Sequence, residues 1–198
     1  RDLLIDVPYW PQQSFAEEVL NRSGGLALAL PSVERPAETT AYDVVLFSMR
    51  AWESAQPGEI EKRLALLREY REKGLKVVLF ASRAGMPEGV EVDWLVDNGA
   101  PSGGEEHAAV NALANTLNGW LWTCEFVGAM TRRGLCPGIL MSALREGSAE
   151  HNAAIQTRPG RHTLTRCDSP VPAGELAGVY LARVDALVGE LSGARAQE

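Results

Sequence analysis

The run YDVVLFS, residues 42–48, carries four consecutive apolar side chains with no polar alternation. An extended chain sends successive side chains to opposite faces, so such a run suits a strand covered on both sides. LKVVLFAS (75–82) repeats the pattern, and GEIEKRLALLREYREKG (58–74) lies between the two. That middle segment sets Ile60, Leu64, Leu67 and Tyr70 at helical spacing and stops at Gly74, which predicts a helix. Working outward, DLLIDV (2–7) is a strand ended by Pro8 and LALAL (26–30) is a strand ended by Pro31. SFAEEVLNRSGG (14–25) between them predicts a helix with Ser14 as N-cap, Glu17 completing a capping box, and Gly24-Gly25 as the stop. VDWLVD (92–97) supplies a fifth strand. Strands alternating with helices imply right-handed crossovers and a parallel sheet. The expected fold is α/β, a flavodoxin-like three-layer sandwich with a five-stranded parallel sheet flanked by helices, one domain over 1–198.

The remaining chain is helical. HAAVNALANTLNGWLWTCEFVGAMTRRG (107–134) reads as one long helix, more apolar than one sheet face requires. A last helix is expected from near Pro172, with 192–198 as a frayed tail. The chain opens at Arg1 directly before an apolar strand, so an element preceding it is expected.

Totals narrow the function classes. The chain has 198 residues, 45% hydrophobic and 23% charged, the balance of an ordinary globular domain. A net charge of -7 argues against a nucleic-acid surface, and the basic residues from Arg63 to Lys76 are interleaved with Glu. The three cysteines, Cys124, Cys136 and Cys167, have no metal-ligand or disulfide spacing and read as reduced thiols of a cytoplasmic protein. No metal, cofactor, signal peptide or membrane span is expected.

In open parallel sheets, ligands gather outside the carboxyl ends of the strands. Here that rim is formed by residues 8–14, 48–58, 82–89 and 97–104. A response-regulator site wants paired acids after the first strand, where only Asp6 stands. A flavodoxin site wants a hydroxyl- and glycine-rich loop, which PYWPQQ (8–13) is not.

Three segments carry a resemblance: DNGAPSGG (97–104), the long helix with NAL (111–113), and GILMSALREGSAEHNAA (138–154). With FAEEVLNRSGGLA (15–27), they resemble the SIS (sugar isomerase) domain family. The likeness is nearest to its stand-alone phosphosugar-binding, phosphoheptose-isomerase-like members, whose equivalent segment reads roughly Ser-Ala-Asn-x-x-Gly-Gly-x-Glu-His-Asn. It covers nearly the whole chain and is most specific at 147–152 and 97–101. The resemblance implies binding of a phosphorylated or otherwise anionic sugar. It also implies a homodimer or higher oligomer built through the long helix, 104–133, and a helix preceding the first strand.

The departures concern the phosphate loops. Where the family has Gly-x-Gly-His-Ser, this chain has VPYWPQQS (7–14), with Gln12 near the family serine; where the family has Ser-x-Ser-Gly, it has SMRAWES (48–54). Proline lacks an N–H to offer a phosphate, and Trp10 fills the space glycine leaves. Arg50 reads either as a bidentate clamp on an anion or as a surface arginine. The substrate-binding set is then Gln12, Ser14, Ser48, Arg50 and Asn98.

The candidate catalytic set is Glu106, Glu150 and His151, since aldose–ketose isomerisation needs a proton-transferring base. Glu105 and Glu106 equally suit a helix N-terminus through its dipole, and Glu150 follows Ser148, a possible N-cap. His151 and Asn152 match the family in identity and spacing, which places His151 at the ligand or at an interface; His162 reads as exposed. Trp10, Met49 and Trp52 suit a lid or stacking face, and Trp120 and Trp122 an interface or core. Three readings stay open: a phosphosugar-binding module with catalysis lost or changed, an active sugar-phosphate isomerase, and a non-enzymatic oligomeric scaffold.

Overall fold

The computed structural model describes residues 3–6, 13–31, 41–49, 52, 58–101, 104–157 and 160–195. Strands β1 (Leu3–Asp6), β2 (Ala29–Pro31), β3 (Val44–Ser48), β4 (Lys76–Ala81) and β5 (Trp94–Asp97) pair in the order β2-β1-β3-β4-β5, all parallel. The doubly apolar character of β3 and β4 has a direct cause. Val45, Phe47, Val77, Leu79 and Ala81 face helix α2 (Glu59–Glu72), where they meet Leu67 and Tyr70. Leu46, Val78 and Phe80 face the other way, onto Phe15, Val19 and Leu20 of helix α1 (Gln13–Asn21). Burying these side chains contributes about 1.5–3 kcal/mol for each large one, which is why neither face tolerates alternation.

Helix α3 (Gly104–Thr131) crosses α1 on that second face. Close approach is possible because Gly119 has no side chain: a Cβ there would stand 2.6 Å from Phe15 Cε2. Beyond α3 come β6 (Leu135–Pro137), helix α4 (Ser148–Gln156), a 3-10 turn (Gly160–His162), β7 (Leu164–Arg166) and helix α5 (Glu175–Arg195).

The expected sheet and layering are corrected. The strands divide between two sheets, because β6 and β7 form a separate antiparallel pair. A sandwich with a single five-stranded parallel sheet therefore does not describe this chain. Nor are there only three layers: α5 packs along α3, with Trp120 and Tyr180 rings 6.4 Å apart, rather than on the sheet. The antiparallel pair escapes sequence reading because each strand has three residues, β6 ends in proline, and β7 is exposed throughout. Two helix starts also differ. Helix α1 begins at Gln13, one residue before the expected Ser14 cap. Helix α4 is capped by Gly147 at φ 74°, with no side-chain cap bond, and Ser148 is its first residue.

Candidate functional site

Three strand ends and one helix are tied together at the carboxyl rim. Asp97 closes β5, and its Oδ1 accepts from Arg83 N and Gly99 N, each at 3.1 Å. These N–H groups, more than the Arg83 charge, hold the Asp97 carboxyl below its ordinary range. Gly99 sits at φ 67°, which favours glycine. The turn then presents Asn98, whose Oδ1 accepts from Ala100 N at 2.9 Å. Its Nδ2 donates to Asn111 Oδ1 at 2.9 Å and Asn115 Oδ1 at 2.8 Å on α3.

Asn111 and Asn115 are four residues apart and so share one helix face, and both are buried. Asn115 Nδ2 continues the chain to Ser48 Oγ at 3.1 Å and Met49 O at 2.9 Å, reaching the end of β3. Ser82, just past β4, donates to Ala100 O and accepts from Ala84 N. Side-chain amides thus hold the carboxyl ends of β3 and β5 against the first half of α3, with Ser82 adding β4. A satisfied buried network of this kind rigidifies the element ends it joins.

Of the expected binding residues, Ser48 and Asn98 are brought into this one network. Both Asn98 hydrogens and its oxygen are spent inside it, which makes Asn98 part of the frame. Ser14 lies in the first turn of α1, just beyond the loop from β1; Gln12 and Arg50 lie outside the described residues, as does Trp10. The expected lid of Met49 and Trp52 is corrected: both are buried in the core against α2. Trp52 Nε1 is buried there without a hydrogen-bond partner.

The EGSAEHN segment builds something else. His151 Nε2 lies 3.0 Å from Ile139 O. Asn152 clamps Met141 with two bonds, Oδ1 accepting from Met141 N at 2.8 Å and Nδ2 donating to Met141 O at 3.0 Å. The clamped segment is held on its other side by Gly24 N→Leu140 O, Leu140 N→Gly25 O and Ala27 N→Gly138 O. His151 and Asn152 therefore take the place of a neighbouring strand for residues 139–141. Beside them a cleft of about 670 Å³ is lined by Ser23, Ser142, Arg145, His151, Thr163 and Thr165, among others. Glu150 is exposed to solvent.

The candidate catalytic residues lie on two different helices, Glu106 on α3 and Glu150 and His151 on α4. Glu106 lies in the first turn of α3, whereas Gly24, bonded to Leu140, packs against Trp120. Those α3 positions are about 20 Å apart along the helix. Glu150 and His151 sit together on α4, with Glu106 distant from both.

Other groups emerged only from the structure. For Asn111 and Asn115 a signal that could have found them exists, since two asparagines at i, i+4 in an apolar helix call for buried partners. For Asp93 none does: its carboxylate accepts from Lys76 Nζ at 2.7 Å and Val77 N at 2.9 Å, fastening the chain before β5 to β4. Burial pushes that carboxyl up, but the Lys76 and Val77 hydrogen bonds and the Lys76 and Arg71 charges outweigh it and hold it below the ordinary range. The three cysteines are unpaired and half-buried, and burial pushes the Cys124 and Cys136 thiols up, so neither is an activated nucleophile. Among the described residues no group of three or more His, Cys, Asp or Glu could hold a metal ion, and no helix is long and apolar enough to cross a membrane.

No protein-family model matches this chain, and no curated protein is measurably similar to it.

Proposed function

We propose that the chain is a binding module for an anionic, phosphorylated sugar, of the SIS type its sequence resembles, with catalysis lost or changed. The observation that carries this reading is the strand order. In β2-β1-β3-β4-β5 the chain reverses direction of sheet growth between β1 and β3, and ligands of such sheets sit at that switch point. Helix α1 starts there with no acid in its first turn, while α2, the next helix, starts with Glu59 and Glu61. An anion is therefore favoured at α1 and opposed at α2.

In this reading the N–H groups around Ser14, with Gln12 and Arg50, contact the anion, and the Ser48–Asn115–Asn98 chain keeps the rim in place. The separation of Glu106 from His151 disfavours an isomerase within one subunit, and an active enzyme would need residues from a second copy. Unpaired thiols fit a reducing, cytoplasmic setting.

Thermal unfolding against a panel of sugar phosphates and their unphosphorylated forms tests the proposal. A ligand at 100 times its Kd adds about 2.7 kcal/mol, a rise of roughly 5 °C or more in Tm for a chain of this size. The rise is expected to need the phosphate and to disappear in Arg50→Ala. No rise with any sugar phosphate, from folded protein, would leave the scaffold reading in its place.

A further inference from the structure

At the opposite end of the sheet, under the amino ends of β3, β4 and β5, lies a cleft of about 970 Å³ that the sugar reading does not use. Its roof is Val44, Val78 and Val96, and its floor is Trp122 and Phe126 on α3. The two floor rings stack on one another, with centroids 5.3 Å apart and planes 13° from parallel, and both line the space. Trp94 stands at the edge strand, 55% exposed, an indole left in water. A cavity of this size and apolar character is typical of small-molecule sites.

Charge decides what kind of molecule fits. The chain has 26 Asp and Glu residues, yet none is among the described residues lining this cleft, whereas Arg133 and His162 are. Arg132, next door, is committed to Val171 O. The Arg133 guanidinium makes no hydrogen bond or ion pair with any described residue. A planar guanidinium at the mouth of an apolar slot is matched by a carboxylate, which it takes bidentately while both stay partly hydrated.

We propose that this cleft binds a flat aromatic carboxylate, with its ring against Trp122, Phe126 and Trp94 and its acid group on Arg133. Titration calorimetry with 1-naphthoate is the direct test, beside 1-naphthalenemethanol as the uncharged partner and decanoate as the non-aromatic acid. Expected are one saturable naphthoate site per chain, weaker binding of decanoate, and a loss of tenfold or more in naphthoate affinity in Arg133→Gln. Binding of 1-naphthalenemethanol should not change in that variant, and Val96→Phe, which fills the cleft, should abolish both aromatic ligands. Arg133 is exposed, so Arg133→Gln keeps the test decisive should Val96→Phe fail to fold. The proposal is overturned by absence of a saturable naphthoate site, by unchanged affinity in Arg133→Gln, or by tighter binding of decanoate.

Discussion

Asn115 is 0% exposed and uses both ends of its amide, accepting from Asn98 and donating to Ser48 and Met49. Asn115→Ala should cost about 3 kcal/mol in urea unfolding, because it strands several buried polar groups at once. A cost below about 1 kcal/mol would mean that the rim is not held by this network. Asp93 gives a different signature. In the unfolded chain its carboxyl titrates near the usual value, about 3.9, and in the folded chain it titrates lower. The stability it contributes is present above the unfolded value and is lost as pH falls through the folded one. Asp93→Asn should therefore destabilise by about 1 kcal/mol at pH 7 and flatten the loss of stability below pH 4, as followed by urea unfolding across pH 2–7. The sequence displayed Ser48 and Asn98 as rim residues, but their shared partner Asn115 is 67 positions from Ser48. Local pattern carries no information about a pairing at that range.

Elements were more legible than contacts, for a physical reason. Strands β3 and β4 were visible because each is covered on both faces, and α2 because Leu67 and Tyr70 return on its sheet side. Strands β6 and β7 were invisible because each is only three residues long, too short to show a period, and β7 has no buried residue. The crossing of α1 and α3 depends on a single absent side chain. Gly119→Ala would put a methyl group 2.6 Å from the Phe15 ring, itself only 1% exposed. Overpacking of this kind costs about 1–3 kcal/mol despite the better helix propensity of alanine, so Tm should fall by several degrees. An unchanged or raised Tm would show that the two helices can separate freely at this point.

At the scale of the whole molecule, α5 and the first half of α3 leave apolar groups in water. Leu113 is 73% exposed, and Val110, Leu187, Val188 and Leu191 are also exposed. The long helix, 104–133, read from sequence as an oligomer interface, is covered by α5 around Trp120, which restricts the open part to its earlier turns. If copies of the chain assemble there, Leu113→Glu with Val110→Glu should lower the mass measured by light scattering to that of one chain and leave the fold intact by circular dichroism. Unaltered mass of an oligomer would place its interface elsewhere.

What the sequence determined by itself was the succession of β1 to β5 with helices α1, α2 and α3 and the burial of β3 and β4 on both faces, because side-chain periodicity is a local property of the chain. The tertiary structure alone decided the division into two sheets, the placing of α5 on α3 and the closing of the amide chain from Asn98 to Ser48. It also set His151 and Asn152 against the backbone of 139–141, and opened the aromatic cleft at the amino ends of the strands. Each of these depends on groups far apart in sequence whose meeting is fixed only when the layers pack.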